Sequence, residues 1–216
     1  MNLQFSLKIL ESNNIIGARI AYALIPPINK YVRSIHSKIK PIISNIVVDS
    51  IISEPEYDSL MSGKLKGEFG IPDPSSRLSE ILDTIRSGAN VVMKATSVTN
   101  NRVTGGVRFQ MIRSDFQDLL SLGSASFVTE KGSQLNWLRW LLIEGDNVII
   151  NEYRFVGGPS PYSRTGLGIM RKFNGAFWRV PPEFAGTIKN NWITRAIDKA
   201  SSEINKALTD LAKDSL

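Results

Sequence analysis

The sequence contains no cysteine and only one histidine, His36, among its 216 residues. Without cysteine there are no disulfides and no cysteine-based metal sites, so folding does not require an oxidising compartment. With a single histidine a zinc site is not expected, and no G-x-S-x-G turn is present to supply a serine nucleophile. We therefore predict no catalytic residue, no bound metal and no cofactor.

Long apolar runs are also absent. No stretch approaches the ~20 residues that a membrane-spanning helix needs. The first residues, MNLQFSLKILESNN, lack the basic start, apolar stretch and cleavage site of a signal peptide. Hydrophobic residues make up 42% of the chain and charged residues 21%, a balance that allows a buried core. These features predict a cytoplasmic protein that does not contact a membrane.

The net charge is +6, which permits contact with DNA or with an acidic protein surface but requires neither. The lysines and arginines are scattered along the sequence, and no run of five or more occurs. A solvated surface with a mild positive excess is therefore the favoured interpretation of the charge.

Each end of the chain carries an apolar stripe with helical spacing. The first stripe comprises Ile28, Val32, Ile35, Ile39, Ile42 and Ile46, and the last comprises Ile193, Ile197, Ala200, Ile204, Leu208 and Leu211. Pro26 and Pro27 suit the start of the first long helix, and residues 15–24 are interpreted as a separate short helix. Pro41 lies inside the stripe and predicts a kink or break there.

Strand patterns occupy the middle of the chain. The segments 91–99 and 102–112 are rich in β-branched residues, and Asn100 and Asn101 between them favour a tight hairpin turn. Further strands are predicted at 147–156 and 175–181, and helices at 74–88, 114–122 and 135–145. The prediction is an α+β fold: a small antiparallel sheet of about four strands flanked by helices, with long amphipathic helices at both chain ends. Its divisions are a helical segment (1–53), an α+β core (54–189) and a C-terminal helix packing on that core (190–216).

Three possible chemistries were weighed against structural roles. The glycine-rich loop at 157–168 lacks the phosphate-binding spacings, so we interpret it as an exposed contact loop, although Arg164 is able to meet an anion. Carboxylate pairs suited to a hydrolase, Glu144 with Asp146 or Glu152 with Glu183, are more simply explained as structural. The tryptophans Trp137 and Trp140 lie among leucines, which favours a core position over base stacking.

The second half of the chain carries short segments in a particular order. They are WLLIEG (140–145), SRTG (163–166), Met170, FWRVP (177–181), PEFAG (182–186) and WITRAI (192–197). In this order the chain resembles the tail-completion family of tailed bacteriophages, which includes neck and minor tail proteins. The resemblance covers roughly residues 130–200, together with the general plan of a leading helix.

The resemblance implies a structural virion protein without catalytic residues, assembled in the host cytoplasm. Such proteins form homo-oligomeric rings that join the head connector to the tail, with other neck and tail proteins as partners and non-specific contact with DNA in the channel. Ring contacts are head-to-tail. The contact residues we expect are in the first helix and in the loop: Ile28, Val32, Ile35, Ile39, Arg164 and Thr165. Burial of the first helix within the subunit itself is an equally good interpretation.

Two alternatives remain. A DNA-binding accessory protein is favoured by the positive charge and by a hairpin that carries Arg102 and Arg108. A small hydrolase carried in the tail would need an acid, base or nucleophile constellation, and the sequence shows none that is convincing.

Overall fold

A computed structural model of the chain describes residues 11–110, 115–130 and 132–214, apart from five side chains at positions 35, 37, 91, 212 and 214. The described helices are α1 (Asn13–Ile52), α2 (Pro55–Met61), α3 (Lys64–Phe69), α4 (Pro74–Gly88), α5 (Gln117–Leu120), α6 (Trp137–Leu142) and α7 (Trp192–Asp214), with one 3₁₀ turn at Gly123–Ala125. The described strands are β1 (Asn90–Thr99), β2 (Arg102–Gln110), β3 (Phe127–Val128), β4 (Gln134–Leu135), β5 (Ile150–Gly157) and β6 (Gly168–Trp178). The predicted cap of α5, Ser114, lies outside the described residues.

Helix α1 is a single helix of 40 residues that passes through Pro26, Pro27 and Pro41. It begins at Ser12, whose hydroxyl accepts a hydrogen bond from the amide of Ile15 at 3.4 Å. The predicted separate helix at 15–24 and the predicted start at Pro26 are therefore wrong, and Pro41 does not end the helix. Each proline removes one backbone hydrogen bond. At Pro41 the burial of Ile39, Ile43 and Val47 on the same helix offsets this loss.

The α+β class and the helix at the C-terminal end are confirmed, but the strands do not join into one sheet of about four strands. They form three separate antiparallel pairs, β1–β2, β3–β4 and β5–β6, within the part of the chain that is described. The pair β1–β2 lies along α1, whereas β6 contacts α3. Each long hairpin packs on a different helix, so the two share no edge.

The core is built around the second half of α1. Ile39, Ile43, Val47 and Ile51 are at most 1% exposed, and they form one cluster with apolar residues of α2–α4, α6 and the start of α7. Beside them the rings of Phe69, Trp137, Trp140 and Trp178 pack at tilted or edge-on angles, with centroids 5.7–6.5 Å apart. Trp137 is fully buried and donates its indole N–H to the Ser124 carbonyl at 2.9 Å, which confirms the predicted core role.

Two glycines bring the end of α6 against the segment that leads into α7. The Gly145 amide donates to the Gly186 carbonyl at 3.1 Å. A Cβ on Gly186 would lie 2.4 Å from the carbonyl oxygen of Leu141, and one on Gly145 would lie 2.4 Å from the backbone nitrogen of Gly186. The backbones approach too closely for any other residue at either position. These glycines belong to the WLLIEG and PEFAG segments, so both segments have a structural role here.

Asn191 starts α7 at the same joint. Its side chain is fully buried, and its Oδ1 accepts from the amides of Ile193 and Thr194 at 3.1 Å each. Its Nδ2 donates to the Leu142 carbonyl at 3.2 Å. One side chain therefore caps α7 and ties it to α6.

Two buried carboxylates at the start of α2 anchor the first turns of α7. Glu54 and Glu56 are 2% and 0% exposed, and they pair with Lys199 and Arg195 respectively. Burial raises the pKa of Glu56, and the nearby Arg195 guanidinium acts in the opposite direction. A buried carboxylate of this kind depends on its cation, because an unpaired charge in the interior is strongly unfavourable.

Because the backbones at the two glycines lie in close contact, we expect alanine there to destabilise the protein far more than alanine at an uncrowded glycine. Gly145→Ala and Gly186→Ala each place a methyl group against backbone atoms, so we expect each to lower the free energy of unfolding by about 2–3 kcal/mol. Gly123→Ala is the matched control, because its Cβ would meet nothing within 4 Å. Urea titration followed by tryptophan fluorescence measures all three, and equal midpoints for the three variants would contradict this account of the joint.

The Glu56–Arg195 pair predicts that loss of the arginine destabilises the protein by an amount that depends on pH. Arg195→Ala leaves the Glu56 carboxylate buried and unpaired, so we expect a loss of about 2–4 kcal/mol at neutral pH. Removing the cation raises the folded-state pKa of Glu56 further above its unfolded value. Protonation then favours the folded state, and the deficit shrinks as the pH falls from about 8 to about 5.

Urea titrations of the wild type and Arg195→Ala across that pH range measure the effect. Glu56→Gln supplies the control background, in which Arg195→Ala should cost less and show little dependence on pH. If Arg195→Ala loses the same stability at every pH while Glu56 is intact, the Glu56 carboxylate is not the cause of the loss.

Candidate interaction surfaces

The first half of α1 and the β1–β2 hairpin lie together as one elongated element, defined here as the arm (residues 13–40 and 90–110). The side-chain amide of Asn101 donates to the Asn14 carbonyl at 3.3 Å, and Thr96 bonds to Asn29. The tip therefore reaches the first turn of the helix. Asn100 and Asn101 have φ values of +49° and +59°, so the predicted tight turn is confirmed.

The arm carries eight lysines and arginines and no aspartate or glutamate. They are Arg19, Lys30, Arg33, Lys38, Lys40, Lys94, Arg102 and Arg108, and all eight are exposed. Arg19 pairs with Glu11 at 2.6 Å, and none of the other seven forms an ion pair with a described residue. All 20 aspartates and glutamates of the chain lie outside the arm, where they slightly outnumber the lysines and arginines. The positive charge of the protein is therefore concentrated on the arm.

The cations occupy both outward faces of the arm. At about 100° per residue, Arg19, Lys30, Arg33 and Lys40 fall within an arc of about 80° on α1. This arc lies on the opposite side of the helix from Gly17, which is next to the hairpin residue Asn101, and away from the buried Ala21. On the hairpin, Val92 pairs with Arg108 and Lys94 with Gly106, which places Lys94 and Arg108 on one face. The other face carries Met93, Val107 and Phe109, of which Phe109 packs against the core.

Sequence reasoning missed this charge because it looked for runs of cations. The helix cations are scattered between Arg19 and Lys40, and the hairpin cations begin only at Lys94. The pattern that could have revealed this surface is the absence of acidic residues from two long segments. No aspartate or glutamate occurs between positions 12 and 48 or between positions 84 and 114.

The second long hairpin, β5–β6 with the loop 158–167, presents a different chemistry. Its exposed side chains include Tyr153, Phe173 and Phe177, and Tyr162 at the loop is 87% exposed. Arg154 and Arg171 stand directly opposite each other across the strands. The guanidinium of Arg154 lies 4.1 Å above the ring of Phe173. Two like charges in register are unfavourable in an isolated hairpin, so this face is suited to a partner that supplies carboxylates.

The two loop residues predicted to contact a partner lie close to the body. The guanidinium of Arg164 stacks on Phe127 at 5.0 Å, and a Cβ on Gly70 would lie 2.7 Å from it. Partial burial lowers the pKa of Arg164. Together with Thr165 it borders an open cavity of about 470 Å³ that Lys66 also lines. Arg164 thus packs on its own subunit while its side chain stays exposed, and Thr165 is partly buried.

The predicted contact residues of the first helix are also used within the subunit. Ile39 is fully buried in the core, so it is not available to a partner. Ile28 and Val32 are partly buried on the arm, and the side chain of Ile35 lies outside the described part of the chain. Ile39 therefore belongs to the core of the subunit, whereas Ile28 and Val32 are only partly covered within it.

Exposed apolar side chains are concentrated on the two projecting elements. Of the fifteen large exposed hydrophobic residues in the described chain, eleven lie on the arm or on β5–β6 with its loop. They are Ile15, Ile20, Tyr22, Leu24, Val92, Met93, Tyr153, Tyr162, Leu167, Phe173 and Phe177. Such concentration is typical of surfaces that contact other macromolecules.

Three of the four carboxylates considered for a hydrolase, Glu144, Glu152 and Glu183, form separate ion pairs. Glu144 accepts from Arg139 at 2.6 Å, and Glu152 lies 3.5 Å from Lys172. Glu183 bonds to Lys64 at 2.7 Å, and this hydrogen bond lowers the pKa of the carboxylate. The structure gives each of these acids a structural partner, as the sequence interpretation favoured.

The remaining features concern metal ligands, membrane-spanning helices and similarity to known proteins. The described residues contain no group of three or more histidines or acids that could hold a metal ion. Among the helices of the described segments, none is long and apolar enough to cross a membrane. Comparisons with protein-family models, with curated proteins and with solved structures find no match to this chain.

Proposed function

We propose that this protein is a structural subunit of a tailed-bacteriophage particle, which joins copies of itself into a ring in the neck or upper tail. In this position it connects the head connector to the tail. The observation that carries the proposal is the concentration of exposed apolar side chains on two elements that project from a closed core. The phage context rests on the resemblance of residues 130–200 to tail-completion proteins.

A ring requires two different patches on each subunit, since a head-to-tail contact joins unlike surfaces. The exposed apolar side chains of the arm and those of the β5–β6 hairpin meet this requirement, because the first are mostly aliphatic and the second mostly aromatic. Tyrosine, phenylalanine and arginine are the residue types enriched at the centres of protein interfaces.

The strand edges support the same conclusion. Both long hairpins are two-stranded, so each leaves unpaired backbone groups along its edges. An open edge is a template for pairing with another chain, and two-stranded sheets are marginally stable alone. Addition of a strand from a neighbouring subunit would complete such a sheet by main-chain hydrogen bonds.

The segments that carry the resemblance support the proposal through the fold. WLLIEG and PEFAG supply Gly145 and Gly186 of the α6–α7 joint, and WITRAI forms the first turn and a half of α7, where Trp192 is buried. These segments thus maintain the body from which the two contact elements project.

The proposal predicts that the aromatic face of β5–β6 is needed for assembly and not for folding. Phe173→Ser with Phe177→Ser removes two rings that are 49% and 58% exposed, so we expect a folded subunit that no longer forms rings. Ile188→Ser is the matched control, since Ile188 is 44% exposed and lies outside both projecting elements. Mass photometry and negative-stain electron microscopy of the purified proteins measure assembly, and urea titration checks that stability changes by less than about 0.5 kcal/mol.

The place in the particle is tested by immunogold electron microscopy of purified phage, with an antibody against this chain. Label at the head–tail junction is the expected result. If intact and disrupted particles both remain unlabelled while the lysate is positive, the virion assignment fails. Rings that persist in the double phenylalanine variant would overturn the assignment of β5–β6 as the contact surface.

A further inference from the structure

We infer that the arm binds the phosphate backbone of duplex DNA without regard to base sequence. The inference goes beyond ring formation, because it names a partner for a surface distinct from the β5–β6 hairpin. It rests on the charge, exposure and spacing of the arm residues and does not require that the protein form a ring.

The charge of the arm has one sign. All eight ionised groups of the arm are positive, and seven of them have no acidic partner in the described chain. Potentials across an interface are complementary, so a surface that carries positive charge alone requires a partner with negative charge along the same length. Duplex DNA is such a partner, because it presents about one phosphate charge per 1.7 Å of its axis.

The charged surface extends along much of α1. Arg19 and Lys40 lie on one continuous helix, and its rise of about 1.5 Å per residue places them about 32 Å apart along the axis. That length matches about nine base pairs at about 3.4 Å each. Four cations share this stripe, so several phosphates are within reach at once without bending of the DNA.

Neutral polar side chains lie beside the cations of the arm. The hairpin tip and its outer face present short neutral donors beside the cations, among them Ser97, Thr99, Asn100 and Thr104, and all four are exposed. Hydroxyl and amide side chains commonly accompany lysine and arginine in contacts with phosphate oxygens. Such contacts position a protein on the duplex and carry no sequence information.

The body, which is the chain outside the arm, contributes to the orientation of the protein. It carries a small excess of acids, so a nearby DNA duplex attracts the arm more than the rest of the molecule. A subunit with this asymmetry turns its arm toward the DNA. In a ring around a DNA channel, the arm would then face the axis.

The inference is tested by fluorescence anisotropy with the full chain and a labelled mixed-sequence duplex of about 24 base pairs, measured over a range of salt concentrations. If five or six phosphates are contacted, the plot of log K against log salt has a slope of about −5. A duplex of different sequence should bind with equal affinity.

The decisive comparison uses two variants with the same change in net charge. Lys30→Gln, Arg33→Gln and Lys40→Gln together alter the arm, whereas Arg179→Gln, Lys189→Gln and Lys206→Gln alter exposed positions on the body. We expect the arm variant to lose affinity on the order of 100-fold at ~0.1 M salt and to reduce the slope by about 2–3, because each lost contact removes about one unit. The body variant should change affinity only a few-fold.

Equal losses in the two variants would overturn the inference, since net charge alone would then explain binding. So would a failure to bind duplex DNA under low salt, and tight binding of polyglutamate in that case would identify an acidic protein as the occupant. Mass photometry of the same variants separates the two proposals: loss of DNA binding with intact rings concerns the arm, and loss of rings with intact DNA binding concerns β5–β6.

Discussion

The arm projects from the body because α1 is one continuous helix whose second half is buried in the core. Ile39, Ile43, Val47 and Ile51 fix the helix axis relative to the other helices. The first half must then extend in the same direction, and in residues 13–38 Ala21 is the only described side chain that is buried. The β1–β2 hairpin packs on this half, and the cations remain exposed. If α1 broke at Pro41, the arm would have no fixed direction and its charges no common surface.

The two projecting elements divide the surface chemistry of the protein. The arm combines positive charge with exposed aliphatic residues, and β5–β6 combines arginine with aromatic rings. Both depend on the body for their position: α1 emerges from the core, and β5–β6 is held against the body through Phe155 and Met170. The Glu54 and Glu56 ion pairs and the glycine joint keep α7 on that body, so they act on the proposed functions only through stability. This separation is why substitutions on each element are able to report on one proposed partner at a time.

Local sequence patterns predicted helices and turns correctly where a residue type strongly prefers one backbone conformation. Asn100 and Asn101 adopt the left-handed conformation expected of a tight hairpin turn, and Pro74 begins the helix that ends at Gly88. Trp137 lies in the core as its leucine neighbours indicated. The predictions failed where packing competes with local preference. Proline in a helix interior is unfavourable by about 3 kcal/mol in isolation, and a buried apolar stripe compensates for that loss.

What the sequence determined by itself is the inventory: the hairpins, the amphipathic stripes, the absence of cysteine, and segments free of acidic residues. Only the tertiary structure decided which stripe faces inward, which strands pair, and that residues 13–40 and 90–110 form one surface. The reason is that side-chain periodicity identifies an apolar face but not what covers it. A hairpin, the core and another subunit each bury such a face equally well. Likewise, cations that are far apart in the sequence become a single electrostatic surface only when the chain brings a helix and a hairpin side by side.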